Sequence, residues 1–328
     1  MGAKRRSFVV AAVVVCVCVL LPVRRPCAAS IIDVGPGKTY TTLTAAQAAA
    51  SNGDVLRIHD GVYAGGLVVA KNLTFQAVNI GGAILDGGGF GPDDAVIRVA
   101  ANSTFIGLMV RNSTHGFYLR DNSAHGRIEH SIILDCREGL GINNSEGTGG
   151  SLDALNLTIY NSFTAVGMND GGTINITNSI IAKATTAYVA HNNIAINPNH
   201  NLLFNVVAVA GTTAIGHVTP DAAQLVGDPL FANPAGLDFR LTPGSPGIDS
   251  GTNVGLAFLG AAPDRGAFEF SPGTVNPVPR TRDSQVRAGE STRLALVPSA
   301  TRAFVRRPIH SFALPCLKKR NRCLSVGS

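Results

Sequence analysis

Arg98, Arg120, Asn143, Asn169 and His191 stand 22, 23, 26 and 22 residues apart. Two guanidiniums, two carboxamides and an imidazole at a near-constant interval could present a row of donors and acceptors to a hydroxyl-rich ligand. Tyr118 lies two residues before Arg120 and offers a flat face for stacking. Asp121 and Asp170 follow the row closely and are its only nearby carboxylates. Two chemistries could use them. In one, Arg120 abstracts a proton and Asp121 and Asp170 ligate a calcium ion; calcium takes six to eight oxygens, so two carboxylates are few. In the other, paired carboxyls hydrolyse a glycosidic bond, which in the inverting case needs them about 6.5–9.5 Å apart. Two coils of a stacked fold would separate Asp121 and Asp170 by roughly 9.6 Å. Arg120, Asp121, Asp170 and His191 are therefore the catalytic candidates. Arg98, Tyr118, Arg120, Asn143, Asn169 and His191 are the binding candidates. No metal site and no cofactor is expected unless the calcium-dependent reaction applies.

A row of this kind needs a scaffold that repeats. Between Leu73 and Val189 the chain is a series of short strand-like runs rich in Val, Ile, Leu, Thr and Phe, punctuated by Gly and Asn. The stretches VRNSTHGFYL, LDCREGLGI, IYNSFTAVGM and IAKATTAYV share one plan. Their polar anchors are Asn112, Cys136, Asn161 and Lys183; their small residues are Gly116, Gly139, Ala165 and Ala187. A repeat of this length with several strands and no helix predicts a solenoid, and specifically an all-β right-handed parallel β-helix over 55–205 with three sheets. Alternation then places Phe117, Leu119, Leu140, Ile142, Val166 and Met168 inside, with Tyr188 and Ala190 inside on the next coil. It leaves Val96, Tyr118, Gly141, Gly167 and Val189 outside, beside the row. The same outward positions also suit an ordinary solvated face.

Stack ends need covers. Thr42 or Thr44 can cap a short Ala-rich helix whose Leu43, Ala46 and Ala50 form one face. At the other end, GDPLFANPAGLDFRLTPGSPGIDSG carries prolines that cannot extend a ladder. Its Leu230, Phe231, Leu237, Phe239, Leu241 and Ile248 are expected to plug the apolar end.

Charge divides the chain. Residues 1–29 hold five basic and no acidic residues, residues 30–270 carry a net −8, and residues 271–328 a net +9. The acidic central part gives no basis for nucleic-acid binding. The first segment, with KRRS followed by an apolar run, reads as an export signal, and KRRSFVV resembles the twin-arginine export motif. Its run is too short for a membrane span, and no span is expected in the mature chain. The expected organisation is a signal at 1–29, a β-helix domain at 30–270 with a cap over 227–270, and a basic, disordered tail at 271–328. The location is extracytoplasmic, secreted or at the cell surface. Cys136 reads as a buried filler.

SNGDVLRIHDGVY and GGAILDGGG resemble the start of secreted, bacterial pectin-lyase-like β-helix proteins with their short β-helix repeats. GDPLFANPAGLDFRLTPGSPGIDSGTN with PDRGAFEF resembles the end of the choice-of-anchor Q group of bacterial surface proteins. The resemblance implies the β-helix fold and an extracytoplasmic location, and little about chemistry. The expected function is contact with a polysaccharide or cell-surface glycan, or a structural or adhesive role, without catalysis. The alternative is a polysaccharide lyase or glycoside hydrolase acting on a uronate-containing glycan.

Overall fold

The computed structural model describes residues 29–91, 95–120, 123–144, 149–167, 170–212 and 216–273. Its first sheet holds nine strands among these residues, from Ile31–Val34 and Val55–Ile58 through Ser151–Leu155 to His217–Val218, and every neighbouring pair is parallel. After each of these strands but the first, the chain turns into a second sheet, through strands such as Gly61–Ala64, Ala83–Asp86, Thr158–Tyr160, Ile180–Ala182 and Leu202–Phe204. It turns again into a third, through Leu67–Val69, Ala95–Val99, Thr164–Val166 and Thr186–Ala190. Two long strands, Met109–Arg120 and Ile132–Asn143, run through the second corner and belong to both sheets. The chain is a right-handed parallel β-helix. Parallel strands need a crossover on each return, and the right-handed sense suits the twist of L-residue strands.

The interior is built of stacked identical positions. Leu56, Phe75, Phe105, Ile128, Ala154 and Ile176 are successive register partners and all are buried. Phe75 and Phe105 stack at 5.3 Å, and Phe117 meets Phe105 edge-on at 5.2 Å. Each buried phenyl contributes about 2–3 kcal/mol. The small residues Gly116, Gly139 and Ala165 fall in register as expected, because the coils approach closely there. A Cβ at Gly139 would lie 2.6 Å from the Ala165 carbonyl oxygen.

The corners are made by left-handed residues, where short polar side chains are tolerated. Asn112, Asp135, Asn161, Lys183 and Asn205 hold φ of 59°, 51°, 57°, 55° and 51° at the second corner. Asp135 thus occupies the anchor position assigned above to Cys136. The cysteine, one residue on, turns into the core, where burial pushes its thiol up to about 12.

The N-terminal cover forms as expected. Leu43–Ala49 is helical, Thr42 Oγ1 accepts from the Ala45 N–H, and Leu43, Ala46 and Ala50 are buried. Lys71 Nζ donates to the carbonyls of Gln47, Ala48 and Ala50, satisfying the open helix end.

The C-terminal block does something else. It lies along the outer face of the second sheet instead of plugging the end. Phe239 packs with Met109, Ile132 and Leu134, and Leu241 with Ile180, Ala182 and Leu202. Tyr160 contacts Phe231 and Phe239 edge-on at 6.3 and 5.1 Å. The reason lies in the second-sheet strands, which read Ile-Ile-Leu, Thr-Ile-Tyr, Ile-Ile-Ala and Leu-Leu-Phe. Runs without alternation need burial on both faces. Arg265 is buried and fixes the block at the first corner, donating to the carbonyls of Asn201, Ala223 and Ser250. The left-handed Asn156 and Asn178 donate to the carbonyls of Asp264 and Thr252. Residues 1–28 and 274–328, which contain nearly all of the expected signal and tail, lie outside the described residues.

Candidate functional site

The third sheet positions the predicted row. Arg120 and Asn143 are register partners, both half-buried, on adjacent coils. His191 directly follows the strand Thr186–Ala190 and is half-buried. Asn169 and Asp121 lie outside the described residues. Arg98 does not stand in this row, because its register partner is Tyr118, two positions earlier. Asp170 is a corner residue with φ of 64°, and its carbonyl accepts from the Asn144 N–H. Its backbone thus serves the third corner and takes it out of the line of strands.

Tyr118 is not a surface platform. Phe117 and Leu119 enter the core as alternation requires, but Tyr118 is fully buried on the other side. Its ring stacks on that of His115 at 4.3 Å and 12°. His115 Nδ1 lies 2.9 Å from Glu138 Oε2. Residues three apart thus share one face, which simple alternation does not foresee.

The second corner supplies what the row lacks. Phe90, Asn112, Asp135, Cys136, Arg137, Asn161 and Phe163 line an open groove of about 680 Å³. Phe90 and Phe163 are 65% and 59% exposed, unusual values for phenyl rings in a folded domain. Arg137 is exposed on the same groove. The corner polar groups are ordered by one another: Asn161 Nδ2 donates to Asp135 Oδ1 at 2.6 Å, and Asn112 Nδ2 to Asp86 Oδ1 at 3.0 Å. Arg111 Nε donates to the second oxygen of Asp86 at 2.8 Å, and that carboxyl is held below its ordinary value by these donors and the Gly88 N–H, against burial. On the next coil Lys183 Nζ sits 5.0 Å over the Tyr160 ring. Sequence reading found these corner residues as repeat anchors but not as a site. The signal it could have used is two phenylalanines, Phe90 and Phe163, in turns where apolar residues are not needed.

A third polar feature runs down the first sheet. Asn175 Nδ2 donates to Asp153 Oδ1 at 2.7 Å, Asn197 Nδ2 to Asn175 Oδ1 at 2.9 Å, and Thr219 Oγ1 to Asn197 Oδ1 at 3.2 Å. Among the described residues no cluster of three or more His, Cys, Asp or Glu side chains is placed to hold a metal ion, and no helix is long and apolar enough to cross a membrane.

No family model matches the chain, and no curated protein matches it. Solved structures give low-scoring likenesses. The pectate lyase Pel9A aligns at a TM-score of 0.28 and 14% identity, over 75% of this chain and 97% of its own. The PL6-family alginate lyase AlyGC aligns at 0.35 and 16%, over 63% of this chain and 41% of its own. The pectin methylesterase PemA from Erwinia chrysanthemi aligns at 0.27 and 13%, over 57% and 81%. At these scores the likeness bears on neither activity nor substrate.

Proposed function

We propose that the protein is a secreted or cell-surface β-helix, of the choice-of-anchor Q kind, that holds a polysaccharide and leaves its glycosidic bonds intact. The observation that carries this is the second-corner groove, where two exposed phenyl rings accompany an exposed arginine above a line of ordered carboxamides. Phenyl faces cover the apolar faces of sugar rings, and guanidinium and amide groups meet hydroxyls and carboxylates. The coil repeat of about 4.8 Å is of the order of one pyranose unit, so an extended glycan can place successive sugars on successive coils. Arg120, Asn143 and His191 extend the surface along the third sheet. Cleavage by hydrolysis is less well supported, because one carboxylate, Asp135, lines the groove where a pair is used.

The test is native affinity electrophoresis in gels containing uronate-rich or neutral glycans, with and without calcium. Absorbance of unsaturated products and new reducing ends are followed in parallel. Retarded migration without either product is expected. Calcium-dependent unsaturated product, or no retardation in any glycan, would overturn the proposal.

A further inference from the structure

Three side chains meet on the open face of the first sheet, away from the groove. Ser151 and Asp153 are two residues apart on the strand Ser151–Leu155, so both face outward. His125 is the register partner of Ser151 on the neighbouring coil. His125 Nδ1 lies 2.8 Å from Ser151 Oγ, and His125 Nε2 lies 3.4 Å from Asp153 Oδ2. Asp153 cannot swing freely, because its other oxygen accepts from Asn175 at the head of the carboxamide ladder. With Asp153 accepting at Nε2–H, the imidazole presents an unprotonated Nδ1 to the serine hydroxyl. That is the tautomer a general base requires. Arg127, the register partner of Asp153, stands on the same face two residues from His125, with its Nε paired to Glu129. The His125 and Asp153 side chains are 43% and 28% exposed, so a ligand can reach them.

We propose that Ser151, His125 and Asp153 form an acyl-transfer site that hydrolyses small carboxylic esters, such as acyl groups carried on sugar hydroxyls. Ser151 Oγ bonds to the acyl carbonyl carbon while its proton passes to His125 Nδ1. The negative charge on the carbonyl oxygen faces Arg127. Collapse breaks the bond to the alcohol oxygen, which takes the proton from His125. Water then attacks the acyl-serine, His125 takes its proton, and the carboxylic acid leaves as that proton returns to Ser151 Oγ. Water is the only co-reactant. The serine chemistry stands on the geometry alone; the assignment of the alcohol as a sugar rests on the glycan-binding reading.

The full chain is treated with a fluorophosphonate probe, the labelled residue is located by mass spectrometry, and p-nitrophenyl acetate hydrolysis is measured. Labelling at Ser151 is expected, lost in Ser151→Ala, with hydrolysis falling about 10²-fold or more in His125→Ala. Ser151 is half-exposed, and an unchanged thermal transition in Ser151→Ala shows that the fold is intact. Val207→Ala, an exposed side chain outside both sites, should label like the wild type. Absence of labelling, labelling that survives Ser151→Ala, or hydrolysis unchanged in His125→Ala would overturn the proposal. Labelling that persists in a protein failing to bind any glycan removes only the sugar assignment.

Discussion

The outer faces of the second sheet and of the second corner are built from the same coils, yet they have opposite fates. On the second sheet, Met109, Ile132, Leu134, Ile180 and Leu202 point outward and are sealed beneath the C-terminal block. At the corner a few residues later on each coil, Asn112, Asp135 and Asn161 point outward, and Phe90, Arg137 and Phe163 remain open. The first face spends its apolar residues on holding the chain together. The second leaves two phenyl rings in water, which stability does not require. A repeat fold can thus assign structure to one face and recognition to another by changing side chains without changing the coil.

The comparison breaks most visibly at Arg265. Its guanidinium serves three carbonyls, of which that of Asn201 is buried and those of Ala223 and Ser250 are half-buried. Arg265→Ala leaves them unpaired and should cost about 3 kcal/mol. Chemical denaturation should show this loss, whereas Arg137→Ala should stay within about 0.5 kcal/mol of the wild type. Equal losses in the two variants would erase the distinction between the sealed and the open face.

A smaller effect is expected with pH. Burial, with Asp249 as a like-charged neighbour, holds the Asp264 carboxyl above its ordinary value. Burial likewise raises Glu269, with Asp264 and Asp249 adding to it. The folded chain binds these protons more tightly than the unfolded chain. Their contribution is therefore fully present below ordinary carboxyl values, near pH 4, and is lost as pH rises through the raised values. Asp33 behaves in the opposite sense. The Arg57 guanidinium, and then His59, hold it well below the usual range, so its contribution is lost only as pH falls through that lowered value. Melting temperatures across mildly acidic pH should carry a downward component with rising pH that flattens in Glu269→Gln. An unchanged profile in that variant would contradict the assignment to the C-terminal block.

Much of the fold was legible because short strand-like runs repeat and the small residues Gly116, Gly139 and Ala165 recur in register. The sealed face was legible too, in Ile-Ile-Leu, Thr-Ile-Tyr and Leu-Leu-Phe, had non-alternating runs been taken as strands covered on both sides. Without that step the C-terminal phenylalanines had nowhere to go except the end of the stack. The site was less legible. Arg98 slipped by two positions because the coil that contains it departs from the even repeat. Tyr118 looked exposed because its stacking on His115, three residues away, follows no strand periodicity. The pairing of Ser151 with His125 spans 26 residues and exists only once the coils are in register.

The open corner is tested most directly by comparing the wild type with the double variant Arg137→Ala, Phe163→Ala in affinity electrophoresis against the glycan that retards the wild type most. The account predicts that the double variant migrates as if no glycan were present, while its thermal transition stays within a degree or two of the wild type, as expected for exposed side chains. Retardation equal to that of the wild type would contradict it and place the recognition surface elsewhere on the coil.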